Sequence, residues 1–457
     1  MMNLMRVSAR LRLSSMVVVA ALAVGLVCGG SGPRFPLVEA ACETLFAGLF
    51  LVWLWFIPAG QLKSINPKIV VVALLVPLLP LAQMVPLPPS LWHGFPGRDI
   101  ERASLALIGQ ADSWRPMTMS VSGTLRALFS MICFSGMMVM AASLSRVART
   151  VLIGVVVIVA GASLFLGAGQ ITAGDNNVFR LYTENTGWMT GFQANHNSQA
   201  DVLLIAIMAA AAVIRALARR SFDRARRATL LAGGFVLAGC LSIGVVLSAS
   251  RAGMALLGLA LPMAVILIAP VLRLTWWRVA VVALGGMLLA AGSVALLYHN
   301  DNIGQAVNRF ESVTDLRPEI WKDAVFAMHQ YAPVGSGMGS FLPIFQAVER
   351  LNVVDDRYTN RAHNDYLELA IEAGIPGMLG LAAMVGVVGW SLFRAVRLGL
   401  FRGEQLWATA TLLLLAVHSV IDYPLRSLSL TCIAAVGVAF ILQYDRVPDM
   451  DFEARET

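Results

Sequence analysis

Apolar windows of about 20 residues recur along this chain, and no other feature constrains its fold as much. Twelve stretches stand out, roughly 14–30, 38–57, 68–86, 122–143, 150–168, 197–215, 228–247, 253–270, 278–297, 375–393, 404–420 and 425–443. A helix of about 20 apolar residues spans the hydrocarbon core of a bilayer. In lipid every backbone N–H and C=O needs an internal partner, so such a segment crosses as a helix. Composition agrees, with 58% of the 457 residues hydrophobic and 13% charged, where soluble domains carry roughly a quarter charged residues. The expected fold class is all-α: a polytopic membrane bundle of about twelve transmembrane helices, interrupted by one large loop that holds short helices. The third window contains Pro77 and Pro80, which should kink it at positions that neighbouring helices can re-satisfy.

The loop is the hydrophilic island 298–374, so the chain divides into 1–297 (nine spans), 298–374 (the island) and 375–457 (three spans and a tail). The start, with Arg6, Arg10 and Arg12 ahead of an apolar run, resembles a signal peptide, but no clean small-x-small cleavage site follows. It reads as an uncleaved first span. If the N-terminus is cytoplasmic, the inside segments hold 20 of the 34 Lys and Arg residues and only 7 of the 27 acids. That is the positive-inside asymmetry. It puts both termini in the cytoplasm and the island outside. It also accounts for the net charge of +7, which therefore signals no nucleic-acid partner; the partner it implies is the bilayer. The basic run 215–227 (RALARRSFDRARR) reads as a cytoplasmic anchor, with anionic lipid headgroups as the sharper alternative.

Several chemistries lack a signature. The five cysteines (Cys28, Cys42, Cys133, Cys240, Cys432) lie in or beside apolar segments without a CxxC or a Cys/His cluster, as small buried hydrophobes do. There is no His-Glu-x-x-His and no P-loop, so neither a metal nor a nucleotide cofactor is expected. The run Gly335-x-Gly337-x-Gly339 has no βαβ surroundings and reads as a tight loop that admits close backbone approach.

Polar chemistry concentrates in the island, which holds His299, His329 and His363. From Arg317 a helix is expected, with Pro318 at its first turn and Glu319 at its positive start. Ile320, Trp321, Ala324, Val325 and Met328 give it an apolar face. A second helix should start at Asn364 or Asp365 and stop at Gly374 before Pro376, with Asp365, Glu368 and Glu372 along one side. His363 sits just ahead of that positive helix start, which favours a neutral imidazole, so it is the candidate general base; the bland alternative is a capping or surface histidine.

Arg251 lies between two apolar runs joined by almost no loop. It either snorkels to the interface or binds an anion through its planar fork. Asp422, in the last outer turn, either pairs with Arg426 or orients His363 or an arginine. Residues 88–121, with Trp92, Trp114 and Arg115, should lie at the membrane interface. Residues 169–196 form a polar, Gly-rich outer segment.

Taken in order, Ser-Ala-Ser-Arg251-Ala-Gly, Arg317-x-x-x-Trp321, Pro333-x-Gly-x-Gly-x-Gly-Ser-Phe, His363-Asn364-x-x-Leu367-x-x-x-x-Glu372-x-Gly374-x-x-Gly377 and His418-Ser-x-x-Asp422-Tyr-Pro resemble the O-antigen ligase/polymerase superfamily of bacterial inner-membrane proteins. The resemblance spans about 195–430 and matches the first 190 residues only as spans. It implies a bundle of the glycosyltransferase C type and a metal- and ATP-independent transfer of a glycan from an undecaprenyl-pyrophosphate carrier to an acceptor hydroxyl. The acceptor would be lipid A–core in a ligase, another glycan repeat in a polymerase, or a protein Ser/Thr in a related branch. It implies that His363 is the base, that Arg251 and Arg317 bind the pyrophosphate, and that Asn364, Glu372, Asp422 and Trp321 support the site. Outside this class, a polysaccharide transporter or flippase is the rival; it should show broken helices repeated in two halves, and no such symmetry is visible.

Overall fold

Among the described residues helices dominate, and the strands are one antiparallel pair, Pro86–Leu87 with Arg115–Pro116. The structure is a computed structural model that describes residues 2–32, 35–173, 178–183, 185, 187–221, 223–275, 277–281, 284–286, 316–354 and 359–446. Most of the ninth expected span (278–297), His299, the rest of the island up to 315 and the end of the tail lie outside these residues.

Among the described residues eight helices are long and apolar enough to cross a membrane: Ala9–Cys28, Pro36–Phe56, Val121–Ala142, Arg146–Thr172, His196–Arg220, Arg224–Leu247, Arg251–Leu272 and Asp365–Arg397. Pro67–Gln83 and Leu428–Leu442 are shorter apolar helices, and Gly403–His418 occupies the eleventh expected span. Pro67–Gln83 is one continuous helix that contains both Pro77 and Pro80. The chain is thus a multi-pass helical membrane protein, and its outer faces show why: Trp55 is 76% and Phe165 82% exposed, which is stable only against lipid.

Two helices form the centre. Leu428–Leu442 is buried along its whole length, and His196–Arg220 is buried from Ser198 to Ala212. Small side chains make this possible, because helix association in lipid depends on close van der Waals packing. A Cβ on Gly253 would stand 2.5 Å from that of Ala200, so the helix Arg251–Leu272 lies directly against His196–Arg220. Asparagine and serine caps set the helix starts that matter below: Asn195, Ser250 and Asn364 each accept a backbone N–H of the first turn, an arrangement worth about 1 kcal/mol per cap.

The island has its own small core. Ile320, Ala324, Ala327 and Tyr331 line the buried face of helix Arg317–Tyr331 and meet Phe341, Ile344, Phe345, Ala362 and Ile371. The face is rotated from the expected one: Val325 is exposed, while Trp321 and Met328 pack at its edge. The Gly335–Gly339 loop is a packing device. Ser336 N and Gly337 N donate to Ile371 O and Glu372 O, and a Cβ on Gly337 (φ 106°) would stand 2.1 Å from Thr118 Oγ1. The segment 84–120 therefore docks on the island. Within it Trp92 is fully buried, its indole N–H bonded to Ser113 O at 3.0 Å, whereas Trp114 is exposed; only the second has the character expected of an interfacial tryptophan. Cys42, Cys133 and Cys432 are buried, and Cys240 faces outward on its helix.

Candidate active site

The helix that begins at Asp365 breaks at Gly374, whose φ of 56° and ψ of −151° only glycine adopts readily, and resumes toward Arg397. Its first part buries the acidic side as well as Ile371. Asp365, Glu368 and Glu372 are buried, while Leu367 and Ala370 are only partly so. The reason is Arg426, on the 3-10 turn Pro424–Arg426. It reaches Asp365 Oδ1 at 3.4 Å, Glu368 Oε1 at 3.5 Å and Glu372 Oε2 at 3.0 Å. Burial acts against its charge, but the carboxylates of Glu368, Glu372 and Asp365 outweigh that and hold it above the ordinary guanidinium range. Arg361 adds a second cation, 2.7 Å from Glu368 Oε1. Glu372 also accepts Phe341 N at 3.1 Å, so it locks the helix to the glycine loop. Of the two partners open to Asp422, Arg426 is thus not the one.

Asp422 faces His363 instead. His363 Nδ1 lies 3.2 Å from Asp422 Oδ1, and its ring stands edge-on to Tyr423 at 5.0 Å. The backbone at His363 is left-handed (φ 50°), a conformation that costs a non-glycine residue roughly 1 kcal/mol. Its neighbours hold it there: Trp321 Nε1 donates to Ala362 O at 3.0 Å, Ala362 N donates to Glu368 Oε2 at 3.1 Å, and Asp365 N donates to Ser419 O at 2.9 Å. Asn364 is the helix cap, accepting Leu367 N at 3.0 Å.

Asp422 is buried, which disfavours its charge. The hydrogen bond and charge of His363, with His418 and Arg317, prevail and hold its carboxyl below the usual range. An ionised carboxylate only accepts, so Nδ1 of His363 carries a proton, and the lone pair of the neutral ring is then on Nε2. The side chain is 26% exposed, and no described residue occupies Nε2. That is the geometry of a general base whose tautomer is fixed by its partner.

Arg317, half-buried at the start of its helix, lies within electrostatic reach of Asp422, His196 and His418. Arg251 is exposed at its helix start and makes no hydrogen bond or ion pair with a described residue. It has no direct contact with His363. The connection runs through Ser248 O, 2.9 Å from His196 Nδ1, and through the residues flanking His196: Asn195 donates to Tyr423 OH at 3.2 Å and Asn197 to Asp422 Oδ2 at 2.5 Å. Trp188 stacks on the His196 ring at 5.8 Å.

The structure therefore joins His363, Asp422, Asn364 and Trp321 directly, brings Arg317 into electrostatic range, leaves Arg251 at the rim, and places Glu372 in the neighbouring ion cluster. Sequence reasoning missed Asn197 and Asp201, and gave His418 and Tyr423 no role beyond their place in the motif around Asp422. His418 Nδ1 lies 2.7 Å from both Asp201 oxygens, and its Nε2 is 3.8 Å from Asp422 Oδ2. An aspartate inside the apolar run 197–215 is a signal in itself, because ionisable residues are costly there. Among the described residues no group of three or more His, Cys, Asp or Glu side chains is arranged to hold a metal ion.

Residues 235–382 match the family model described as O-antigen ligase. The match takes in Arg251, Arg317, Trp321, the glycine loop, His363 and Glu372, and ends before His418 and Asp422. No curated protein matches the chain.

Proposed function

From the match of residues 235–382 to the family model described as O-antigen ligase, we propose that this chain belongs to that superfamily and transfers a glycan from an undecaprenyl-pyrophosphate carrier to an acceptor hydroxyl at the periplasmic face of the bacterial inner membrane. The observation that carries the reading is the His363–Asp422 pair: an imidazole with its Nδ1 engaged and its Nε2 open at the only exposed end of a buried charge line.

Nε2 of His363 takes the proton of the acceptor hydroxyl. The freed oxygen attacks the anomeric carbon of the donor glycan, the bond from that carbon to the pyrophosphate oxygen breaks, and lipid pyrophosphate leaves. General-base catalysis of this kind contributes about 10²–10⁴-fold. Charge gathers on the leaving pyrophosphate, and Arg317 and Arg251 are the cations at the site entrance able to bind it through bidentate forks. Asp422 stabilises the imidazolium that forms. Trp321 and Asn364 hold the backbone on either side of His363.

In this reading all three mapped parts keep the roles expected of them: twelve spans in all, the island as a periplasmic loop, and both termini cytoplasmic. The acceptor we assign is lipid A–core, the ligase reaction. A polymerase joining repeat units and a protein O-oligosaccharyltransferase share the same donor chemistry. A transporter or flippase would need no base at all, and a base with a fixed tautomer speaks against it. The test is a transfer assay with purified full-length protein, a lipid-pyrophosphate glycan and three separate acceptors: lipid A–core, a second lipid-linked repeat and a pilin-like protein. Product on lipid A–core that disappears in His363→Ala supports ligation. Product on another acceptor alone replaces it with that activity, and a His363→Ala protein that transfers at the wild-type rate removes the base.

A further inference from the structure

Asp422 is reached from its far side by a second buried pair. Asp201, on the helix His196–Arg220, and His418, the last residue of Gly403–His418, are both fully buried. The His418 Nδ1 lies 2.7 Å from both carboxylate oxygens of Asp201. Its Nε2 is turned to Asp422 Oδ2 at 3.8 Å and has no hydrogen bond of its own. Asp201, His418, Asp422 and His363 thus form one line from the bundle interior to the cleft. Around Asp201 the helix is otherwise alanine, valine, leucine and isoleucine from Ala200 to Ala212, with Met208 the one further type. An apolar pair there would pack at no desolvation cost. A buried carboxylate–imidazole pair in such surroundings points to function.

We propose that Asp201 and His418 are positioning residues for the transfer reaction, which hold Asp422 as the carboxylate that orients His363. This rests on the reading of His363 as the base. Asp201 holds the His418 ring through Nδ1. The ring turns its Nε2 to one oxygen of Asp422, Asn197 donates to that same oxygen, and the other oxygen is left to His363. The remaining groups that face this line are Arg317 from the helix Arg317–Tyr331, His196 beside Asn197, Tyr423 beside Asp422, and Arg361 with Glu368 on the segment of His363 itself. Neither Asp201 nor His418 touches the cleft, so both act only through Asp422.

The experiment follows the titration of His363 and the transfer rate separately, in the full chain in detergent. Histidine-selective 13C and 15N NMR reads the His363 midpoint, assigned by comparison with His363→Ala among the six histidines. Asp201→Asn removes the carboxylate that holds and polarises the His418 ring. Asp422 is then screened less from its far side, and the His363 midpoint moves up by about half a pH unit or more. The acid limb of the kcat profile moves up with it. The turnover number falls by about tenfold to 10²-fold, with donor KM little changed. Asp201→Glu restores most of the rate, and Asp201→Asn adds no further loss in an Asp422→Asn background.

His418→Gln is made alongside, so that one misfolded variant decides nothing. An unmoved His363 midpoint in every folded variant, an additive loss with Asp422→Asn, or failure of all the variants to fold overturns the inference. A midpoint that moves in a protein showing no transfer to any acceptor leaves the positioning role standing and removes the proposed reaction instead.

Discussion

Two buried charge clusters share the segments 361–372 and 418–426, and they are built on opposite principles. The first closes on itself. Arg426 and Arg361 between them engage Asp365, Glu368 and Glu372, and every member of the set has an ionic partner. The second is a line, Asp201–His418–Asp422–His363, and it ends in an open imidazole nitrogen. The difference is one of stoichiometry and exposure. Each of the three acids is held by at least one of the two guanidiniums, so none of the carboxylates is left to serve a ligand. A chain of alternating acid and imidazole passes its polarity to whatever stands at the end. The closed cluster fixes where the backbone at 361–374 sits, and the open line determines what that backbone presents.

If this division is right, damage to the two clusters separates cleanly. His363→Ala should show the largest effect: transfer falls by about 10²–10⁴-fold while the protein melts near the wild-type temperature in the same detergent. Arg426→Leu should do the reverse. It leaves three buried carboxylates against one remaining guanidinium, and breaking a buried ion pair costs about 3–5 kcal/mol. Reversible denaturation in mixed micelles reads that loss. Comparable destabilisation by the two substitutions would erase the distinction between a cluster that shapes and one that reacts.

Arg251→Lys sharpens the comparison at the rim. Arg251 has no partner among the described residues, so its loss should cost the fold little. An ammonium keeps the charge and loses the planar fork. The expected result is a rise of about tenfold in the apparent KM for the lipid-pyrophosphate donor, on the order of one charge-assisted hydrogen bond. An unchanged KM would return Arg251 to simple snorkelling at the membrane edge.

Much of this arrangement was legible in the sequence because local rules govern it. Apolar windows located the helices, and the Asn364 cap and the Gly374 stop bounded the helix that carries the three acids. His363 was singled out by its place ahead of that helix. What escaped depended on tertiary packing. The acidic side of the helix faces inward because Arg426, more than fifty residues away, turns it there, and periodicity alone cannot say which face of an amphipathic helix a distant arginine will claim. The same holds for Asp422, whose choice between Arg426 and His363 depends on how the segment of His363 docks on the turn that carries Asp422 and Arg426. Asp201 and His418 are 217 residues apart, and nothing local marks them as a pair. In the helix Arg317–Tyr331 the pattern gave the right spacing but a face rotated toward Ala327 and Tyr331, because the docking of Phe341 and Phe345 decides which stripe is covered.

The smallest effect concerns pH, and it tests the open line at its middle. The folded Asp422 carboxyl ionises below its unfolded value of about 3.9. A group depressed in this way contributes stability that is fully present above the unfolded value and lost as pH falls through the folded one. Between pH 5 and 8 the charge of Asp422 is therefore constant in both states. The difference in melting temperature between wild type and Asp422→Asn should hold or grow as pH falls from 8 to 5, where the imidazoles beside the carboxylate gain charge, and shrink only below about pH 4. Any change in transfer rate between pH 5 and 8 must then come from the imidazoles on either side of it. A stability difference that instead falls between pH 8 and 5 would mean that Asp422 takes up its proton there. Nδ1 of His363 would then lose the ionised partner that fixes its tautomer, and the open line would have no charged link at its centre.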